Sequence, residues 1–471
     1  MTRVLVYGVA IAGEAVMRAL VARGHDVVAA DDHVTPAKQA VADALGIELH
    51  AAPDATRITE LVDGADLVAP APGIPETHAV VLAAMAAGRP LRTEIDLAYE
   101  WEQLRPGGPR PMLAVTGTDG KTTTTFLATE MLRAAGHHAV AVGNTDVPLV
   151  DAIADDTVDV FVVECTSFRL SWTTCFRPDA AVWLNLAPDH LNWHTDMTSY
   201  ELAKARMWMY QHDDDTAIGF IDDPVVMAQL AVSPARHVTF GLTGSDYRCD
   251  TDDADVRRLV GPRGEICAVG EMNRALPHDI TNALAAAALV SEAGLADNAA
   301  IARALGSFVG PAHRLEPVGE ADGVSWFNDS KATTPHAAIT AVRAFDSLVL
   351  IAGGRNKGLD LSELGSEPQR MRGVVAIGEA ADLVAGIFAG ICPVERAASM
   401  RDAVAVAGAM AVEGDAVVLS PACASFDWYP DGGYPARGDD FRSLVHERLG
   451  WTPSDDTIPA EIIPERHGAA S

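Results

Sequence analysis

The chain has few cysteines, few basic residues and no long apolar run, and each shortage excludes a class of protein. Its six cysteines (Cys165, Cys175, Cys249, Cys267, Cys392 and Cys423) include no CxxC pair. That usage speaks against a disulfide framework, and free, mostly buried thiols in a reducing compartment are expected. No apolar run approaches the ~20 residues that span a bilayer, so no membrane insertion is expected. The chain opens on a strand-like run without the pattern of a signal peptide, and a cytoplasmic protein is expected. Lys and Arg number 35 against 65 Asp and Glu, a formal charge of −30. Such a surface repels nucleic-acid and membrane phosphates, so any phosphate ligand needs a local, built site.

What is present is the composition of an ordinary α/β protein, with 49% hydrophobic residues and Gly and Pro spread throughout. At 471 residues the chain is too long for one core, and about three domains are expected. VLVYGV and DVVAAD read as strands flanking the helical GEAVMRALVARG. The Pro- and Gly-rich RPGGPRP (105–111) reads as a linker. A second α/β unit runs from PMLAVTGTDGKTTTTFLATEMLRAAG through VDVFVVEC and DAAVWLNL to the helical TNALAAAALVSEAG. The pattern breaks at SFVGPAHRLEPV, and VSWFND, SLVLIAGG, GVVAIG and AVVLSP then repeat β and α. The expected fold is three α/β domains with mainly parallel sheets: a Rossmann-like domain at 1–105, a central P-loop-type domain at 106–310 and a Rossmann-like domain at 311–471. The tail after Trp451 is expected to fray.

The strongest local signal is Gly117-Thr118-Asp119-Gly120-Lys121-Thr122, between the strand-like MLAVT and a Thr-rich helix start with Thr123. Glycines let backbone N–H groups turn onto phosphate oxygens, and the helix N-terminus adds partial positive charge. Lys121 is placed to reach the β/γ-phosphates and the Thr122 hydroxyl to bind Mg²⁺. A weaker loop, Gly8-Val9-Ala10-Ile11-Ala12-Gly13, is followed by Asp31. Alone it suggests a dinucleotide site and an NAD(P)-dependent dehydrogenase, and an ordinary β–α turn explains it equally well.

Glu164 ends a strand, where carboxylates meet ligands in parallel sheets. Asp189, His190 and His194 follow another, and carboxylate and imidazole can hold a divalent ion. Lys204 lies on an amphipathic helix and reads, by itself, as a solvated lysine. His313-Arg314, Asn328-Asp329-Ser330-Lys331, the loop Gly353 to Gly358 and the loop Ser420 to Ser425 gather basic and small residues at strand ends, which favours a substrate rim. Cys423 has no neighbouring His and reads as a buried small residue.

Taken together, GTDGKTTTT, VECTSFRL, NLAPDHLNWH, AKAR, HDITNALAAAAL, PAHRLE, NDSKATTP and IAGGRNKG, in that order, resemble the Mur ligases of peptidoglycan synthesis. SPACASFDWY and APGIP resemble the glutamate-adding branch. The resemblance implies an ATP-dependent acid–amino-acid ligase that works through an acyl phosphate. ATP and two Mg²⁺ ions are implied, together with UDP-N-acetylmuramoyl-L-alanine, glutamate and a monomeric chain. Gly117 to Thr123 and Lys121 would hold the ATP phosphates. Thr122, Glu164, His190 and a carbamylated Lys204 would hold the metals. Asn282, Arg314, Asp329 and Lys331 would contact ATP. Ala10, Ile11, Ala12, Asp32, His33, Gly73, Asn144 and His190 would face the UDP-linked substrate, and Thr333, Lys357, Ser425, Phe426 and Tyr434 the amino acid. Departures from the family pattern are Ala10, Ala71, Asp119, Asp279, Asp32-His33 and the GGYP insertion before Arg437. The alternatives are L-glutamate or another amino acid on the same fold, and the dehydrogenase.

Overall fold

Runs that are apolar on both faces form parallel strands buried on both sides. Val4, Leu5, Val6 and Tyr7 are each at most 1% exposed in the strand Arg3–Tyr7. The computed structural model describes residues 2–145, 147–191 and 193–451. The tail expected to fray lies outside them. The described chain divides into two compact units. The first comprises Met1–Met272 with Ile280–Phe308, the second Asn273–Asp279 with Val309 to the last described residue.

The first unit holds three sheets. The N-terminal one is parallel, ordered Glu48–Ala51, Asp26–Asp31, Arg3–Tyr7, Leu67–Pro70. Six parallel strands follow, ordered Arg236–Phe240, Thr216–Phe220, Ala180–Trp183, Met112–Thr116, Val160–Glu164, Ala139–Gly143. A small antiparallel sheet comprises Arg248–Thr251, Arg257–Gly261 and Gly264–Ala268. The second unit has one six-stranded sheet, ordered Glu316–Ala321, Val324–Asn328, Ala416–Leu419, Leu348–Gly353, Met371–Ile377, Val394–Arg396. Its first pair is antiparallel and the remaining pairs are parallel. The expected α/β architecture with mainly parallel sheets is therefore present.

Helix starts are fixed by local side-chain caps, which satisfy otherwise orphaned N–H groups. Asp196 accepts from the Ser199 amide and opens the helix Met197–Met209 that carries Lys204. Asp223 caps the helix Pro224–Val232 and also accepts from the Leu186 amide at 2.7 Å, tying down the loop after Trp183. All six cysteines are free, and three of them, Cys165, Cys267 and Cys423, are buried. Among the described residues no helix is long and apolar enough to cross a membrane.

Candidate active site

The strand Met112–Thr116 lies inside its sheet, between Val160–Glu164 and Ala180–Trp183. The Gly117–Gly120 loop leaves its C-terminal end and enters the helix Lys121–Ala134. Gly120 caps that helix at φ +83°, and a Cβ there would lie 2.7 Å from Asn282 Oδ1. Only glycine allows this approach. Asn282 thus abuts the phosphate loop, and its Oδ1 also accepts from Thr124 Oγ1 at 3.3 Å. Asn185 Oδ1 accepts from the Thr118 and Asp119 amides, each at 2.9 Å. Thr118 Oγ1 accepts from the Ala187 amide at 2.9 Å and lies 3.1 Å from the Tyr200 hydroxyl. Thr123 is buried just inside the helix, and Thr122 is half-buried at its first turn.

Two lysines converge on one carbonyl. Lys121 Nζ donates to Gly117 O at 2.9 Å and to Thr118 O at 2.8 Å. Lys204 Nζ donates to the same Gly117 O at 2.6 Å. Lys204 is 1% exposed, so the reading of a solvated helix lysine is wrong. Its amine lies over the Tyr200 ring, 4.5 Å from the centroid. Burial first, and the Lys121 charge second, push the Lys204 amine well below its ordinary range.

Glu164, the last residue of its strand, is 1% exposed. Its Oε1 accepts from Asn144 Nδ2 at 2.9 Å, and its Oε2 is buried without a hydrogen-bond partner among the described residues. A buried carboxylate oxygen without a donor is costly unless a cation occupies that side. His190 sits at φ +57°, its Nε2 3.2 Å from Asp189 Oδ2 and its ring edge-on to Phe168. Burial pushes His190 down to about 4, so at neutral pH the imidazole has a lone pair free for a metal. Among the described residues no group of three or more His, Cys, Asp and Glu side chains is gathered for a metal. The candidate donors are instead mixed: the Thr122 hydroxyl, the Glu164 carboxylate and the His190 imidazole. Those oxygen and nitrogen donors suit Mg²⁺.

In the N-terminal sheet, Gly13 is required because a Cβ there would lie 1.9 Å from Gly8 O. Ala10 and Ile11 are exposed at the mouth of this loop, while Ala12 is buried. Asp31 is used internally: it accepts from the Val9 amide at 2.6 Å, the His33 amide at 2.8 Å and Lys38 Nζ at 2.8 Å. A carboxylate so occupied is a poor reader of a dinucleotide ribose, which weighs against the dehydrogenase. Asp32 points outward between the Tyr7 hydroxyl (2.6 Å) and His78 Nε2 (3.1 Å). His33 and Gly73 are exposed.

In the second unit, three adjacent strands end in the three loops singled out above. Val324–Asn328 leads to Asp329 and Lys331, Ala416–Leu419 to Ser425 and Phe426, and Leu348–Gly353 to Lys357. Asp329 accepts from the Leu315 amide at 3.1 Å and the Ser420 hydroxyl at 2.7 Å. Arg314 immediately precedes Leu315, between His313 at φ +63° and Leu315 at φ +42°. Lys331 Nζ stacks 3.9 Å from the Tyr434 ring centroid, which brings those two candidates together. Thr333 is half-buried, Lys357 is exposed, and Phe426 is 48% exposed. Ser425 is buried, and its Oγ has no partner among the described residues. Cys423 is 1% exposed and pushed up to about 11 by burial, the surroundings of a packed small residue. Asp279, on this unit, pairs with Arg274 at 3.1 Å.

Sequence reasoning missed Asn185, Tyr200, Glu76, Tyr7, His78 and Arg437. Arg437 is 1% exposed and donates to Ser330 Oγ, Ser330 O and Cys423 O, holding two of the three loops together. His194, read as a possible ligand or a loop residue, is buried against Glu76 and Ser167.

A phosphate loop, a buried strand-end carboxylate and a buried lysine on α/β sheets together suit the binding of a nucleotide's phosphates with a divalent cation. Residues 115–290 match the Mur ligase middle domain and residues 313–423 the Mur ligase, glutamate ligase domain. The chain is 42% identical over 461 residues to the UDP-N-acetylmuramoylalanine–D-glutamate ligase of Frankia casuarinae, covering 95% of this chain and 94% of that one. It is 37% identical to the like-named protein of Pelotomaculum thermopropionicum, covering 94% and 97%. Among solved structures, MurF of Acinetobacter baumannii superposes with a TM-score of 0.57 at 15% identity, covering 94% of this chain and 93% of that one. The UDP-N-acetylmuramate–alanine ligase MurC of Thermotoga maritima superposes with a TM-score of 0.56 at 17% identity, covering 95% and 100%. The chain belongs to the Mur ligase family.

Proposed function

We propose that this chain joins D-glutamate to UDP-N-acetylmuramoyl-L-alanine with conversion of ATP to ADP and phosphate, in cytoplasmic peptidoglycan precursor synthesis. The names of its relatives support the substrates. The observation that carries the chemistry is the meeting of Lys121 and Lys204 on Gly117 O, beside the phosphate loop. Residues 1–105 take the UDP-linked substrate, 106–310 ATP and 311–471 the amino acid, in a chain that works as a monomer.

The substrate carboxylate attacks the γ-phosphate, giving an acyl phosphate and ADP. The glutamate amine then attacks the acyl carbon, a tetrahedral intermediate forms, and phosphate leaves. Lys121 turns from its loop carbonyls onto the transferring phosphoryl oxygens and balances their charge. Bound Mg²⁺, two ions in this proposal, would supply charge neutralisation at the phosphates. Thr122, Glu164, His190 and a carbamylated Lys204 would hold it, and the buried Oε2 of Glu164, which has no hydrogen-bond partner among the described residues, supports that reading. A low-basicity buried amine is nucleophilic toward CO₂, and its carbamate supplies two carboxylate-like oxygens. Carbamylation, which releases a proton, also places a negative charge beside the Lys121 ammonium. Asn144 holds Glu164 in orientation. Lys357 reaches the glutamate side-chain carboxylate as a point charge, and Thr333, Ser425, Phe426 and Tyr434 shape the pocket.

Phosphate release from ATP and UDP-N-acetylmuramoyl-L-alanine, with D- and L-glutamate in parallel, tests this. Release with D-glutamate alone supports the reading. Release with L-glutamate alone overturns the pocket assignment, and release with neither overturns the substrates.

A further inference from the structure

The turn that carries Gly73 is tied directly to the loop that carries His190. Trp193 Nε1 donates to Pro72 O at 3.0 Å. The His194 side chain is fully buried, with Nδ1 3.0 Å from Glu76 Oε1 and Nε2 2.8 Å from Ser167 Oγ. Glu76 also accepts from the Ser199 hydroxyl at 2.6 Å and the Thr195 amide at 3.3 Å. Ser167 opens the short helix just after Glu164. A single imidazole therefore touches the substrate-side turn at one nitrogen and the Glu164 side at the other. Its partners agree on one tautomer: the carboxylate takes the Nδ1 proton, and Nε2 accepts the serine hydroxyl. A contact that only glued two sheets together would join strand or helix bodies. This one joins the two loops whose spacing sets where the substrate lies relative to the metal end.

We propose that His194 is a positioning residue which, with Glu76, holds the Ala71–Glu76 turn in register with Glu164 and His190. The carboxylate of the UDP-linked substrate is thereby presented to the γ-phosphate. The proposal rests on the function given above. Orientation errors of this kind cost rate without removing a reacting group.

The experiment is steady-state kinetics of wild type, Glu76→Gln, His194→Ala and the double variant, varying ATP and UDP-N-acetylmuramoyl-L-alanine separately. Binding of the UDP-linked substrate is followed by calorimetry, and folding by thermal melts. Glu76→Gln is isosteric and keeps the proposal testable where His194→Ala fails to fold. The expected result is a loss of about 10–100-fold in kcat/KM for the UDP-linked substrate, with the KM for ATP unchanged. The double variant is expected to be no worse than the poorer single, because one link is cut twice. Equal losses toward both substrates, unchanged kinetics or multiplicative singles would each overturn the proposal. A wild type that releases no phosphate overturns the functional reading instead, so the two failures are distinguishable.

Discussion

The most consequential side chains are the two lysines on Gly117 O, and they differ in what water does for them. Lys121 is half-buried at a helix N-terminus, with its ammonium on backbone carbonyls it can leave. Lys204 is fully enclosed and pushed well below its ordinary range, so it is not needed as a cation. Lys121→Ala should lower the rate of phosphate release by about 10³-fold, since it removes a charge directed at the transferring group. Near-normal turnover in a folded variant would remove Lys121 from the phosphate site. Lys204→Ala should be nearly inactive for another reason: on the proposed carbamate reading it removes metal-binding oxygens, not a cation. Added acetate or formate should then restore part of the rate to Lys204→Ala and none to Lys121→Ala. Full unaided activity of Lys204→Ala would exclude the carbamate.

Single elements show the same division between what a run of sequence can and cannot reveal. The loop after Arg3–Tyr7 is held by Asp31, whose burial alone would raise its carboxyl. Lys38 and the Val9 and His33 amides outweigh that and hold it below the ordinary range. The unfolded side chain titrates near about 3.9. The stabilisation is therefore fully present above that value and is lost as pH falls through the lower folded value. Asp31→Asn should cost about 1–3 kcal/mol at pH 7, with the gap closing below about pH 4. Denaturant unfolding at pH 7 and below pH 4 measures it, and a gap independent of pH would show that the charge is not what matters. The strand, the glycine loop and the acidic residue were all legible here, because each is a local pattern. The use of Asp31 was not, because Lys38 and the Val9 amide reach it only in three dimensions. The same holds for Lys204, whose helix reads as amphipathic until Tyr200 and Gly117 close over it. Glu76 and His194 are 118 positions apart, so only the fold reveals that they meet. Loops at strand ends are visible in sequence, whereas the side chains that hold them in register, such as Asn185 and Arg437, are not.

For the molecule as a whole, the charge of −30 sets two electrostatic terms against each other. Exposed ion pairs such as Arg401 with Glu447 and Arg355 with Glu379 stabilise only weakly, and salt weakens them further. Net repulsion from the excess of 65 acidic over 35 basic side chains opposes folding, and salt relieves it. At 0.01 M salt the screening length is about 30 Å, so carboxylates across a domain feel one another; at 0.15 M it is about 8 Å, and only neighbours do. The buried pairs Arg110–Glu102 and Arg169–Glu94 lie out of reach of that screening and change little. Relief of long-range repulsion should therefore exceed the loss from surface pairs, and Tm should rise between these two salt concentrations. Sodium and potassium chloride should act alike, since the effect is screening and not ion binding. A Tm that falls with salt would mean that the surface pairs form a cooperative network stronger than the net repulsion, and the acidic surface would then be a source of stability.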